Sequence, residues 1–260
     1  MKNKRWRGII WTALGVAFLL LLWVVISAVV GNRWLFPSPL ETLEALGRLA
    51  GTVEFYLAIA GSLLLVVAGF AAGNVVGLLA GFASGLSDRV NSFMKPGMAL
   101  IKATPVASFI ILILLWLGKE YTPAVTAFLI VLPVVWQNVV AGVHSADKKL
   151  LETAQVFRLS PYKKLKYIYV PSVEEGYIAA VRTSMGFAWK AGVAAEVLAG
   201  TSRTLGGLIY RTKINLETPE LFAYTVVVIV ISILAEVAAT AIMQAASKKK
   251  KAKTGGGADE

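Results

Sequence analysis

Apolar residues in this chain cluster into long runs rather than alternating with polar ones. Residues 8–30, 57–86, 122–143, 177–198 and 221–246 read as nearly uninterrupted apolar stretches of twenty or more residues, and a sixth, 98–117, carries Lys102 inside it. A run of that length, wound as a helix, crosses the roughly 30 Å hydrocarbon layer of a bilayer. The pattern predicts an all-α membrane protein, a polytopic bundle of about six transmembrane helices. It forms one membrane domain over residues 8–246, preceded by a basic N-terminus (1–7) and followed by a basic tail (247–260) read as disordered and cytoplasmic. The first run follows Lys2, Lys4, Arg5 and Arg7 but has no small-residue cleavage site after it, so it is expected to be a retained helix rather than a secretory signal.

Polar punctuation between and within the runs adds detail. After the first run, Ser38 is placed to cap a helix with Pro39 at its first position and Glu41 closing a capping box. Leu40, Leu43, Leu46 and Leu49 then recur every three residues, which predicts a short amphipathic helix at the outer face, either a docking surface or an interfacial connector. In the second run Gly69, Gly73, Gly77, Gly81 and Gly85 stand at an unbroken spacing of four, a bare stripe that lets a neighbouring backbone approach closely. This helix is expected inside the bundle. Thr104-Pro105 interrupts the third run and Pro133 the fourth; the resulting bends form either a gate or fixed kinks.

Composition supports a lipid environment, with 57% hydrophobic and 16% charged residues among 260. The net charge of +11 raises nucleic acid as a partner, and the placement of the charge argues against it. With the N-terminus in the cytoplasm, 17 of the 26 Lys and Arg residues fall on cytoplasmic segments and six on external loops. That asymmetry is the positive-inside pattern for a chain with both ends cytoplasmic. Lys248, Lys249, Lys250, Lys251 and Lys253 then read as a topology anchor beside anionic lipid. With no cysteine and only His144, the chain offers no thiolate metal site and little histidine chemistry.

The longest cytoplasmic loop spans residues 146–176. Leu150, Leu151, Ala154 and Phe157 share one helical face behind an Asp147 cap, and Ser160-Pro161 starts a second helix that Pro171 is expected to stop. Two short amphipathic helices around a sharp turn suit a groove on a soluble partner, or else a bed of lipid headgroups.

These residues resemble the cytoplasmic motif of permease subunits of ATP-binding-cassette (ABC) importers: Glu-Ala-Ala, three residues, Gly, nine residues, then Ile-x-Leu-Pro. Here Glu152-Thr153-Ala154 and Ile168-Tyr169-Val170-Pro171 keep the register. Arg158 occupies the position where the family's turn uses glycine. The likeness covers residues 35–240 and is nearest the nitrate, taurine and aliphatic-sulfonate branch. Phe36-Pro37-Ser38-Pro39, Pro105 leading to Leu115-Trp116-Leu117-Gly118, and Trp189 followed by Ala194-Ala195-Glu196 all resemble that branch, while Ile111 stands where it has a second proline.

The resemblance implies a type I importer permease in a bacterial inner membrane, acting as a homodimer with two ABC ATPase subunits and an extracytoplasmic binding protein. Glu152, Ala154, Phe157, Arg158, Ser160 and Pro171 would form the coupling loop. ATP and Mg would be held by the ATPase partner, because this chain has no phosphate loop: its only Gly-Lys pair, Gly118-Lys119, is followed by Glu120. The chain itself is then not an enzyme and carries no cofactor. The motifs leave the solute open among sulfonate, nitrate, carboxylate and vitamin-precursor ligands.

Charges inside the apolar runs are the remaining candidates, because each costs about 2.5–3.5 kcal/mol at mid-membrane unless it is wet or paired. Arg182, Gly186, Trp189, Val193 and Glu196 share a helical face expected to border the translocation path. Lys190 lies about 80° from Arg182 on the same helix, placed for an anion or an ion pair. Lys102 either contacts solute or snorkels to the headgroups, and Glu196 reads as an interhelical partner. Two other functions compete with a permease. An ion-coupled secondary transporter calls for inverted halves with paired mid-membrane acids, and neither is seen. A non-transporting anchor leaves the embedded charges without a role.

Overall fold

A computed structural model describes the backbone of residues 2–255 and the side chains of residues 10–243. Its elements are helices α1 (Lys2–Val30), α2 (Pro39–Ala50), α3 (Val53–Leu86), α4 (Asp88–Ala103), α5 (Val106–Leu117), α6 (Thr122–His144), α7 (Lys148–Val156), α8 (Pro161–Lys164), α9 (Val170–Ala199), α10 (Leu205–Ile214) and α11 (Thr218–Gly255). A π-helical turn, Leu165–Tyr169, joins α8 to α9. Among the described residues four helices, α1, α3, α6 and α11, contain stretches long and apolar enough to cross a bilayer alone. The pair α4 and α5 makes a fifth crossing only if taken together. α9 is 30 residues long but less apolar, and it is packed by α3, α6 and α11. Gly, Ala and Ser on its buried faces suit close helix contacts rather than lipid.

The third run departs from the sequence expectation of one helix over 98–117. It breaks at Thr104-Pro105 into two helices bent by 101°, and the first of them starts ten residues earlier, at Asp88. Pro105 has no N–H to continue the ladder, and its ring drives Thr104 into an extended conformation (φ −75°, ψ 128°). Arg89 and Lys95 lie on α4. Pro133, by contrast, is buried inside an unbroken α6. α11 continues to Gly255, through the start of the stretch assigned to the tail; the side chains of Lys248, Lys249, Lys250, Lys251 and Lys253 lie outside the described residues.

The core forms where α3 and α6 meet. Val131, Val135, Val139 and Val143 of α6 sit over Gly73, Gly77, Gly81 and Gly85 of α3, so that a Cβ added to those glycines would come within 2.8, 2.9, 2.6 and 2.6 Å of the respective valine Cβ atoms. Both helices advance four residues per contact, so they run parallel. Gly69 begins the series against the Ala124 carbonyl, and the Trp136 indole donates to Ser84 Oγ at 2.9 Å. All four valines are buried.

At the opposite end from the α7–α8 loop, α2 packs on α11. Ser38 N donates to Glu41 Oε2 at 2.8 Å and Glu41 N donates to Ser38 Oγ at 3.2 Å, which completes the capping box. Those bonds hold the Glu41 carboxyl below the usual carboxylate range. Arg48–Glu220 (2.7 Å) and Arg211–Glu54 (2.8 Å) tie α2, α3, α10 and α11 together at this rim.

The seam makes a testable distinction between glycines. Gly69→Ala pushes a methyl into the Ala124 carbonyl and is expected to cost about 1–3 kcal/mol, read as a lower melting temperature of the detergent-purified protein. Gly47→Ala, which meets nothing within 4 Å, is expected to leave the melting temperature unchanged or raise it.

Candidate functional site

Two places gather the residues that carry chemistry, the turn between α7 and α8 and a cleft in the bundle. The turn is built by its caps. Asp147 accepts from Lys149 N at 2.8 Å and starts α7. At its end Arg158 N donates to the Gln155 carbonyl (3.0 Å) and Leu159 N to the Ala154 carbonyl (2.9 Å), the bond pair of a Schellman stop. Such a stop needs a left-handed residue, and Arg158 takes that conformation at φ +49° without being glycine. Ser160 then caps α8, accepting from Lys163 N. Ala154 is buried with Ala146 and Ile168, and Leu151, Leu159 and Tyr169 pack around them, so the end of α6, the turn and the start of α9 form one unit.

Two expectations for this loop are corrected. Pro171 does not end a helix. Val170 N donates to the Leu165 carbonyl, five residues back, and this widened turn accommodates the proline in the first turn of α9, so that helix runs on without a break. Nor do Leu150 and Phe157 share the buried face with Leu151 and Ala154. Leu150, Val156, Phe157 and Tyr162 are exposed, leaving an apolar tip beside Glu152, which is also exposed.

The cleft lies where α4 and α5 bend away from α6 and α9. It encloses about 480 Å³ and is lined by Lys102, Thr104, Pro133, Phe187 and Lys190 among others. The Lys102 ammonium donates to Gln137 Oε1 at 2.6 Å. Lys102 also lines a second cavity of about 460 Å³ with Lys95, Gln137 and His144, so two lysines of α4 follow the cleft. Pro133 has no N–H for the carbonyl of Leu129, four residues back, and both residues stand in the cleft wall.

The other residues expected on the path are placed elsewhere. Trp189 is fully buried, its indole donating to the Val228 carbonyl of α11 at 3.0 Å. Glu196 is likewise buried: its Oε2 accepts from Ser62 Oγ (2.7 Å) and from Gly206 N (2.9 Å), which ties α9 to α3 and to the first turn of α10. The face they share with Gly186 and Val193 is therefore packed against neighbouring helices rather than open to a path. Arg182 is exposed beside a separate cavity of about 300 Å³ that Glu236 and Thr240 of α11 also line. The sequence reading missed Gln137, the polar partner of Lys102, because an amide inside an apolar run carries no charge signal. Among the described residues no group of three or more His, Cys, Asp or Glu side chains is placed to hold a metal ion.

A bundle of helices long and apolar enough to cross a bilayer, with a lysine-lined cleft between them, is the architecture of a multi-pass membrane protein. The family described as binding-protein-dependent transport system inner membrane component matches residues 73–251, over two thirds of the sequence, and the chain belongs to that family of ABC importer permeases. It is 28% identical over 228 residues to the taurine transport system permease protein TauC of Escherichia coli (strain K12), covering 85% of this chain and 82% of that one. It is 25% identical over 224 residues to the putative aliphatic sulfonates transport permease protein SsuC of Bacillus subtilis (strain 168), covering 85% and 80%. The crystal structure of an amino acid ABC transporter with histidines superposes with a TM-score of 0.61 at 15% identity, over 78% of this chain and 97% of that one, a likeness of fold.

The arginine at the left-handed position generates a prediction. Arg158→Gly is expected to stabilise the turn by about 1 kcal/mol, read as a roughly fivefold slower amide hydrogen exchange in the α7–α8 turn. Faster exchange would mean that the arginine side chain itself holds the turn.

Proposed function

We propose that this chain is the translocation subunit of an ABC importer for a small anionic solute of the sulfonate, taurine or nitrate kind. In this reading two copies enclose the path in a bacterial inner membrane, both termini are cytoplasmic, an extracytoplasmic binding protein delivers the solute, and separate ATPase subunits burn ATP with Mg. The observation that carries it is the convergence of Lys102 and Lys190 on one cleft beside the α4/α5 bend. Two ammonium groups in a low-dielectric wall attract an anion and offset its desolvation.

The coupling follows from how the turn is joined to the bundle. The exposed tip of Val156 and Phe157, with Glu152 beside it, is an apolar docking feature with one charge for orientation. Packing around Ala154 makes that tip rigid with α6 and α9. α9 continues from the π-helical turn to Lys190, twenty residues beyond its first residue. A push on the tip therefore moves the α6 and α9 side of the cleft as a body relative to α4 and α5, the kind of displacement that switches a cavity between two sides of a membrane. The relatives named for taurine and aliphatic sulfonates support a solute that carries a sulfonate group.

The test assembles the chain with an ABC ATPase and a binding protein from the same organism and measures copurification and taurine uptake into proteoliposomes. Phe157→Asp and Glu152→Lys are expected to release the ATPase while leaving the permease folded. The double variant Lys102→Met with Lys190→Met is expected to keep the ATPase and lose uptake by about tenfold or more. ATP-driven uptake at the wild-type rate in all of these variants would overturn the proposal.

A further inference from the structure

On α9, Arg182, Gly186 and Lys190 stand one helical turn apart. Glu236 of α11 reaches across to the middle position. A Cβ at Gly186 would collide with its carboxylate, meeting Cδ at 2.8 Å and Cγ at 3.3 Å as well as Oε1. Gly186 is thus the seat of an acid, with a cation one turn away on either side. Toward Lys190 the ammonium lies 4.0 Å from Glu236 Oε1, and toward Arg182 the two residues line one cavity of about 300 Å³.

Resting on the reading of the cleft as an anion path, we infer that Glu236 is the resident counterion of that path, which holds Lys190 while no solute is present and gives it up to the solute anion. Three features fit this role. A carboxylate inside a membrane bundle needs a cation, and Arg182, which lines a cavity with Glu236, is placed to take over when Lys190 is released. The pair with Lys190 is loose, beyond hydrogen-bond length, with side chains 66% and 41% exposed, and an exposed ion pair of that kind is weak enough to exchange. Lys190 faces the cleft beside Lys102, whereas Glu236 is absent from the cleft lining, so the cation and not the acid is presented to solute. A partner that occupies the binding cation for most of the time lowers apparent affinity by the fraction of time the cation is free. Glu236 thereby sets how tightly the path holds its cargo, and keeps the hold weak enough for release.

The inference is tested by calorimetric titration of the full-length chain in lipid nanodiscs with ethanesulfonate. Glu236→Gln is expected to bind this anion about three- to tenfold more tightly than wild type, and Glu236→Asp, with its charge on a shorter arm, to fall between them. A purely structural tie between α9 and α11 would give the opposite sign, because losing it loosens the cleft. If Lys190→Met loses binding while Glu236→Gln binds no tighter than wild type, the counterion role falls and the anion path stands. If Lys190→Met binds as wild type does, or if neither wild type nor Glu236→Gln binds, both fall.

Discussion

Contact between the bare backbone of α3 and the valines of α6 is the constraint on which the rest of the molecule depends. In lipid there is little hydrophobic reward for bringing two apolar helices together, so association rests on close van der Waals packing and a few interhelical hydrogen bonds. Four glycine–valine contacts in register, with the Trp136–Ser84 bond toward the C-terminal ends of the two helices, supply both. With one face of α6 held by α3, its other faces are left to α9 and to the broken pair α4 and α5. The cleft that results is a gap between a fixed wall and a bent one.

The turn between α7 and α8 has the same logic on a smaller scale. Every bend in it is tied by a named bond or a buried contact: Asp147 at the start, the paired bonds around Arg158, Ser160 at the second helix, and the widened turn before Pro171. Such a segment transmits displacement rather than absorbing it. Placing arginine at a left-handed position costs about 1–2 kcal/mol locally. The surrounding bonds hold the conformation nonetheless, which indicates that the turn's shape is determined by more than one residue.

Much of this was legible in the sequence, because caps, stripes and prolines act locally. Ser38 with Glu41, Asp147 and Ser160 all cap the helices their spacing predicts, and the glycine stripe meets a neighbour. The partner stripe was equally readable, since Val131, Val135, Val139 and Val143 repeat the same interval of four in α6. What spacing does not contain is which face a neighbour covers. Arg182, Trp189 and Glu196 do share a side of α9, yet that side packs on α3, α10 and α11 around the last two, and the cleft opens instead at Phe187, Lys190 and Ala191. Nor does a proline reveal how far it bends a chain: Pro105 accompanies a 101° break, whereas Pro133 sits within a continuous helix held by the valine seam.

The central claim is that water and solute, not lipid, fill the space between α4/α5, α6 and α9. The absence of cysteine makes single introduced cysteines direct reporters. The decisive measurement is the rate at which a membrane-impermeant, anionic thiol reagent modifies Val134→Cys and Phe187→Cys, in the cleft, against Leu64→Cys and Leu79→Cys, on the exposed outer side of α3. Thiolates form in water and not in hydrocarbon, so the cleft positions are predicted to react on the order of tenfold faster or more. Equal rates, or faster modification of the α3 positions, would contradict the account.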